Sequence, residues 1–138
     1  MRSRTYSNMK TEKTILVVDD EQGFRDMYVY FLEPLGFKVT CVCNGYEAVE
    51  KVRQADYDLI FMDIHMPVMT GPEALKEIKK IRPKQKVVIF SSSSDPDHKM
   101  ENEALKLGGA LQCLFKPVDL SHIEGVLAEI LGPIFPAL

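Results

Sequence analysis

The stretch DLIFMDIHMPVMTGPEAL, residues 58–75, decides the fold. Leu59, Ile60, Phe61 and Met62 form an unbroken apolar run, which suits a strand covered on both faces of a sheet. The run, read as a strand over 57–63, ends in an acid, Asp63. Thr70-Gly71-Pro72 then starts a helix with proline in its first turn. Ala74, Leu75, Ile78 and Ile81 recur along one face of that helix. A strand buried on both faces followed by an amphipathic helix is the repeating unit of a parallel α/β sheet.

The same unit recurs on either side. Upstream, the apolar run 15–18 stops at Asp19-Asp20-Glu21. Phe24, Met27, Tyr28, Phe31, Leu32 and Leu35 then share one helical face, with a kink or fraying expected at Pro34 and a stop at Gly36. Residues 37–42 alternate as a second strand, and Asn44 with Glu47 predicts a capping box for a helix carrying Ala48, Val49 and Val52. Downstream, 87–90 is a fourth strand ending in Ser91 to Ser94, and Asp95-Pro96 predicts a helix start. That helix reaches Leu107 and breaks at Gly108-Gly109; a fifth strand over 111–115 ends at Lys116-Pro117. The last helix carries Leu120, Ile123, Val126, Leu127, Ile130 and Leu131 inward, capped by Asp119 or Ser121. Five successive strand–helix units predict an α/β fold with a doubly wound, five-stranded parallel sheet. Residues 14–131 form this domain, 1–13 a polar extension, and 132–138 a tail that reads as a linker or a contact surface.

Composition agrees. A chain of 138 residues, 46% hydrophobic and 27% charged, is the size and balance of one globular domain. Its net charge of -3 and lack of a basic run disfavour direct nucleic-acid binding. No apolar run approaches the roughly 20 residues that span a bilayer, and the polar start is unlike a signal peptide. The three cysteines, Cys41, Cys43 and Cys113, form no CxxC pair and read as reduced thiols, so a cytoplasmic protein is expected.

Ligands of open α/β sheets bind at the carboxyl ends of the strands. There this sequence places Asp19 and Asp20 after the first strand, Asp63 after the third, serines after the fourth and Lys116 after the fifth. Three converging carboxylates repel one another unless a cation neutralises them, and Mg²⁺ is the hard, oxygen-preferring choice that keeps waters for an incoming phosphate. A lysine and a serine hydroxyl opposite that cluster would serve phosphoryl oxygens.

ILVVDDE at 15–21, the 58–75 stretch and LFKP at 114–117 together resemble the receiver domain of two-component response regulators, over roughly residues 14–131. The resemblance implies a flavodoxin-like (βα)5 receiver fold. It makes Asp63 the phospho-acceptor, Asp20 a direct Mg²⁺ ligand, Asp19 a ligand through water, and the backbone carbonyl of His65 the remaining protein ligand. Lys116 is matched to the lysine that contacts the phosphoryl group, and the bond before Pro117 is expected to be cis. Met66-Pro67 and Gly71 match the turn after the phosphorylation site. Ser91 matches the hydroxyl that senses the phosphoryl group; because the segment onward to Lys116 runs two or three residues longer than usual, Ser92 is the alternative. The fifth-strand position that often holds an inward-swinging aromatic is Cys113. Implied partners are a sensor histidine kinase or phosphotransfer protein and a downstream protein target. The implied domain is a phospho-acceptor rather than an enzyme, a monomer or weak homodimer, signalling through its fourth helix, fifth strand and fifth helix. The chain ends about one helix after Lys116, which fits a stand-alone regulator or a receiver from a longer protein.

Each residue has an ordinary competing role. Acid pairs at strand ends commonly serve as solvated turns or helix caps, a serine run as a polar loop, and His98 and His122 as helix surface residues. Three functional rivals remain: a phosphate-independent interaction module of the same fold, a haloacid-dehalogenase-type phosphatase, and a flavin carrier. The phosphatase requires an Asp-x-Asp motif where this chain has Asp19-Asp20-Glu21, and the flavin carrier a phosphate loop after the first strand.

Overall fold

In a computed structural model, which describes residues 12–92 and 96–133, all five expected strands form one sheet. The readings of Ser93, Ser94, Asp95 and most of the tail lie outside the described residues. The strands are β1 (Thr14–Val18), β2 (Lys38–Val42), β3 (Leu59–Asp63), β4 (Val87–Ser91) and β5 (Gln112–Phe115). The helices are α1 (Gln22–Leu32), α2 (Gly45–Gln54), α3 (Gly71–Ile81), α4 (Lys99–Lys106) and α5 (Leu120–Leu131). Every pairing is parallel, in the order β2-β1-β3-β4-β5, the doubly wound flavodoxin-like arrangement.

Side-chain alternation along the strands divides the core between two faces. Ile15, Val17, Leu59, Phe61, Val88 and Phe90 pack under α1 and α5 with Tyr28, Leu32, Ile123 and Leu127. Leu16, Val18, Ile60, Met62, Val87 and Ile89 pack under α2, α3 and α4 with Val49, Val52, Leu75, Ile78 and Ala104. This double burial is why the strands read as continuous apolar runs.

Helix boundaries follow local chemistry. Proline leaves no N–H for the helical ladder; α1 ends at Leu32, and Pro34 lies in a 3-10 turn, Glu33–Leu35, closed by Gly36 at φ 97°. Asn44 caps α2 by accepting from the Glu47 amide at 2.8 Å, but the Glu47 carboxylate reaches one residue further back, to the Cys43 amide at 2.9 Å. The reciprocal capping box belongs to α3, between Thr70 and Glu73. One boundary corrects the sequence reading. Helix α4 starts at Lys99, not at Asp95-Pro96, because His98 adopts a left-handed conformation (φ 48°) that no helix can pass through. At the head of α3, a Cβ on Gly71 would lie 2.6 Å from Ile64 Cα, so only glycine lets the helix start close against the loop after β3.

Candidate functional site

The strand order reverses between β1 and β3: β2 lies to one side of this pair and β4 and β5 to the other. Such a switch point opens a crevice at the carboxyl edge of the sheet. Asp63 ends β3 and is 4% exposed, Asp19 follows β1 and is fully buried, and Asp20 beside it is exposed. Each offers a carboxylate oxygen, and these oxygens all lie within 4.8 Å of one another.

Lys116, on the loop after β5, reaches into this cluster with a nearly buried side chain. Its Nζ donates to Asp19 Oδ2 at 2.8 Å, lies 3.5 Å from Asp63 Oδ2 and 4.0 Å from Glu21 Oε1, and sits 3.7 Å from the centre of the Phe24 ring. The backbone around the acids is tied down as well. The His65 amide donates to Asp63 Oδ1 at 3.1 Å, the Glu21 amide to Asp19 Oδ1 at 3.0 Å, and Arg25 Nη1 to the Asp19 carbonyl at 2.7 Å. The Lys116–Pro117 bond is cis, as expected.

Burial is the largest influence on Asp63 and pushes its carboxyl up to about 6. Lys116 and the His65 amide pull it down, while the charges of Asp19 and Asp20 add to the rise. Below the cluster, Tyr28, Phe61 and Phe90 form an aromatic floor with ring centres 5.2–5.9 Å apart. The Tyr28 hydroxyl is driven strongly upward by burial and then by the negative charges of Asp19 and Asp63, so it stays neutral.

The donor set fits a hard divalent cation. Asp19, Asp20 and Asp63 supply three carboxylates beside the one ammonium of Lys116, every candidate side-chain donor is oxygen, and the exposure of Asp20 leaves one side open to water.

Ser91 is the last residue of β4 and fully buried; its carbonyl accepts from the Lys116 amide at 2.7 Å, which sets it beside the cluster. Ser92, the alternative, is exposed. The Ser91 hydroxyl is bonded to the Glu101 carboxylate. Sequence reasoning missed Glu101. It is 2% exposed on the first turn of α4, and its Oε2 is also 3.2 Å from His65 Nε2. Burial raises the Glu101 carboxyl, yet the hydrogen bonds from Ser91, its own backbone and His65 outweigh that and hold it below the ordinary value. The only sequence signal was an acid on the inner face of a short helix, beside Ala104. His98, read as a surface residue, has a buried Nδ1 4.0 Å from Glu101 Oε1 and stacks edge-on with Phe115 at 5.3 Å. Phe24, counted only as core, borders the site through Lys116. Cys113 is half-buried, and burial, then the Glu101 charge, pushes its thiol up to about 11, so it is no nucleophile at neutral pH.

The profile of the response regulator receiver domain matches residues 15–128. The chain is 41% identical over 118 residues to the transcriptional regulatory protein ZraR of Klebsiella oxytoca, covering 86% of this chain and 26% of that protein. It thus spans about a quarter of the length of that relative. It is 36% identical over 119 residues to the chemotaxis protein CheY of Thermotoga maritima, covering 86% of this chain and 97% of that one. Among solved structures, the receiver domain of the sensor histidine kinase PA1611 from Pseudomonas aeruginosa, which has a magnesium ion coordinated in its active-site cleft, superposes with a TM-score of 0.79 at 26% identity, covering 89% of this chain and all of that one. With its sheet order, its acid cluster and its lysine after β5 in place, the chain belongs to the family of response regulator receiver domains of two-component systems.

Proposed function

We propose that Asp63 accepts a phosphoryl group from a phosphohistidine on a sensor histidine kinase or phosphotransfer protein. The observation that carries this reading is Asp63 itself, 3.5 Å from Lys116 within three converging carboxylates at the switch point. A carboxylate oxygen of Asp63 forms the new bond to phosphorus while the phosphorus–nitrogen bond of the donor breaks; the departing imidazole nitrogen keeps the electron pair and takes a proton. With its carboxyl at about 6, Asp63 is mostly ionised at neutral pH and ready as a nucleophile. Lys116 is near enough to turn from Asp19 to the phosphoryl oxygens, and the Asp63–His65 hydrogen bond orients the attacking carboxylate. Asp20, Asp63 and the His65 carbonyl would hold Mg²⁺, with Asp19 acting through water, and the ion would supply charge neutralisation at the phosphoryl oxygens.

The chain in this reading is no enzyme in the usual sense; it assists its own phosphorylation and dephosphorylation. The acyl phosphate carries close to two negative charges where the Asp63 carboxylate carried one. Ser91 then senses it, and the surface of α4, β5 and α5 shifts toward a form that binds a downstream protein. Leu107, Leu111 and Phe115 are exposed large apolar residues on that side and support it as the contact surface. No helix among the described residues is long and apolar enough to cross a membrane. A cytoplasmic monomer or weak homodimer that contacts neither nucleic acid nor membrane completes the proposal.

The test is intact mass after incubation with a small-molecule phosphodonor, with and without Mg²⁺, on wild type and Asp63→Asn. One Mg²⁺-dependent, hydroxylamine-labile adduct, absent from the variant, is expected. No adduct under any condition would replace this reading with a phosphate-independent interaction module.

A further inference from the structure

We infer that Glu101 is a positioning residue that holds the Ser91 hydroxyl in the resting state and must release it when Asp63 is phosphorylated; this rests on the phospho-acceptor reading of Asp63. Three elements meet at this carboxylate: Ser91 from the end of β4, His65 from the loop after β3, and Glu101 from the first turn of α4. A carboxylate this deeply buried needs donors, and Oε2 takes Ser91 and His65 together.

A serine hydroxyl has one hydrogen to donate. Spent on Glu101, it is not available to a phosphoryl group on Asp63, so the two acceptors compete. Ser91 is placed for the exchange: its neighbour Phe90 is the register partner of Asp63, and its carbonyl holds the Lys116 amide. In this exchange the hydroxyl turns away from Glu101 toward the phosphoryl group.

The consequence falls on α4. Glu101 Oε1 and His98 Nδ1 are both buried without a hydrogen-bond partner among the described residues. When Ser91 leaves, a carboxylate already short of donors loses another, and the turn that carries it is the element that must readjust. That turn follows His98, held at φ 48° and set edge-on to Phe115. The phosphorylation signal therefore reaches α4 and the exposed end of β5 through a carboxylate, in a chain whose fifth strand has Cys113 where an aromatic would swing.

The test is the affinity of the full chain for beryllofluoride, a phosphoryl mimic, in the presence of Mg²⁺, followed by fluorine NMR. Removing a competing charged acceptor is expected to tighten binding on the order of tenfold in Glu101→Ala and about threefold in the isosteric Glu101→Gln. In a Ser91→Ala background the Glu101→Ala change is expected to have less than about a twofold effect, since a shared partner is what couples the two residues. Should Glu101→Ala fail to fold, Glu101→Gln carries the measurement alone. Unchanged affinity in Glu101→Gln, or equal tightening with and without Ser91, overturns the inference. A wild type that binds no beryllofluoride, or binds it as well as Asp63→Asn does, overturns the phospho-acceptor reading and this inference with it.

Discussion

Lys116 is paired with Asp19, Nζ to Oδ2 at 2.8 Å with both side chains almost fully buried. The pair joins residues 97 positions apart and closes the β5 side of the site onto the β1 side. Removing one member of a buried pair leaves an uncompensated charge. Lys116→Ala is expected to destabilise the metal-free protein by about 3 kcal/mol, and saturating Mg²⁺ to recover part of that loss by neutralising the freed carboxylates. Urea denaturation with and without Mg²⁺ measures both; a variant as stable as wild type in chelator would show that Asp19 needs no ammonium partner.

The carboxyl of Asp63 is raised to about 6 from an ordinary value near 4, so the folded state binds its proton more tightly than the unfolded chain does. Its contribution to stability is therefore greatest below pH 4 and is lost as pH rises through about 6. A shift of that size corresponds to about 3 kcal/mol. In chelator, Asp63→Asn is expected to be more stable than wild type at pH 7 by up to about this amount, with the gap closing toward pH 4. Denaturant titrations of both proteins across that range give the difference directly; a gap that does not depend on pH would assign it to something other than this carboxyl.

Val68, in the loop after β3, is β-branched, 83% exposed and held at φ 72°. Left-handed backbone costs such a residue roughly 1–2 kcal/mol, whereas asparagine tolerates it. Val68→Asn should raise stability by about 1 kcal/mol, read as a higher urea midpoint with an unchanged slope.

Gly71→Ala is expected to act in the opposite direction. The added Cβ meets the Ile64 backbone at 2.6 Å, and backbone cannot step aside as a side-chain tip can. A loss of about 1–3 kcal/mol is expected, together with amide shifts through residues 64–70, which lie directly after Asp63. A variant with neither effect would mean that α3 can start farther from the loop.

The sheet was legible because burial on both faces writes itself into the strands. Residues 15–18, 59–62 and 87–90 are apolar at every position, and Ile15 to Val18 pack alternately into the two cores. The acid and lysine cluster was legible because strand ends in a parallel sheet share one edge, so Asp19, Asp20, Asp63 and Lys116 had to approach one another. The start of α4 was not legible. Asp95-Pro96 carries a sound local start signal, but the left-handed His98 blocks a helix from continuing there, and nothing in the periodicity marks that position.

Sequence alone thus determined which elements form, their parallel order of succession, and which chemical groups stand at the carboxyl edge, because these follow from side-chain period and chain direction. Only the tertiary structure decided that Lys116 rests on Asp19 and that Glu101 is buried against Ser91 and His65. Those contacts depend on how one short helix seats on the sheet, and an acid on an amphipathic helix looks the same in sequence whether it faces water or a serine.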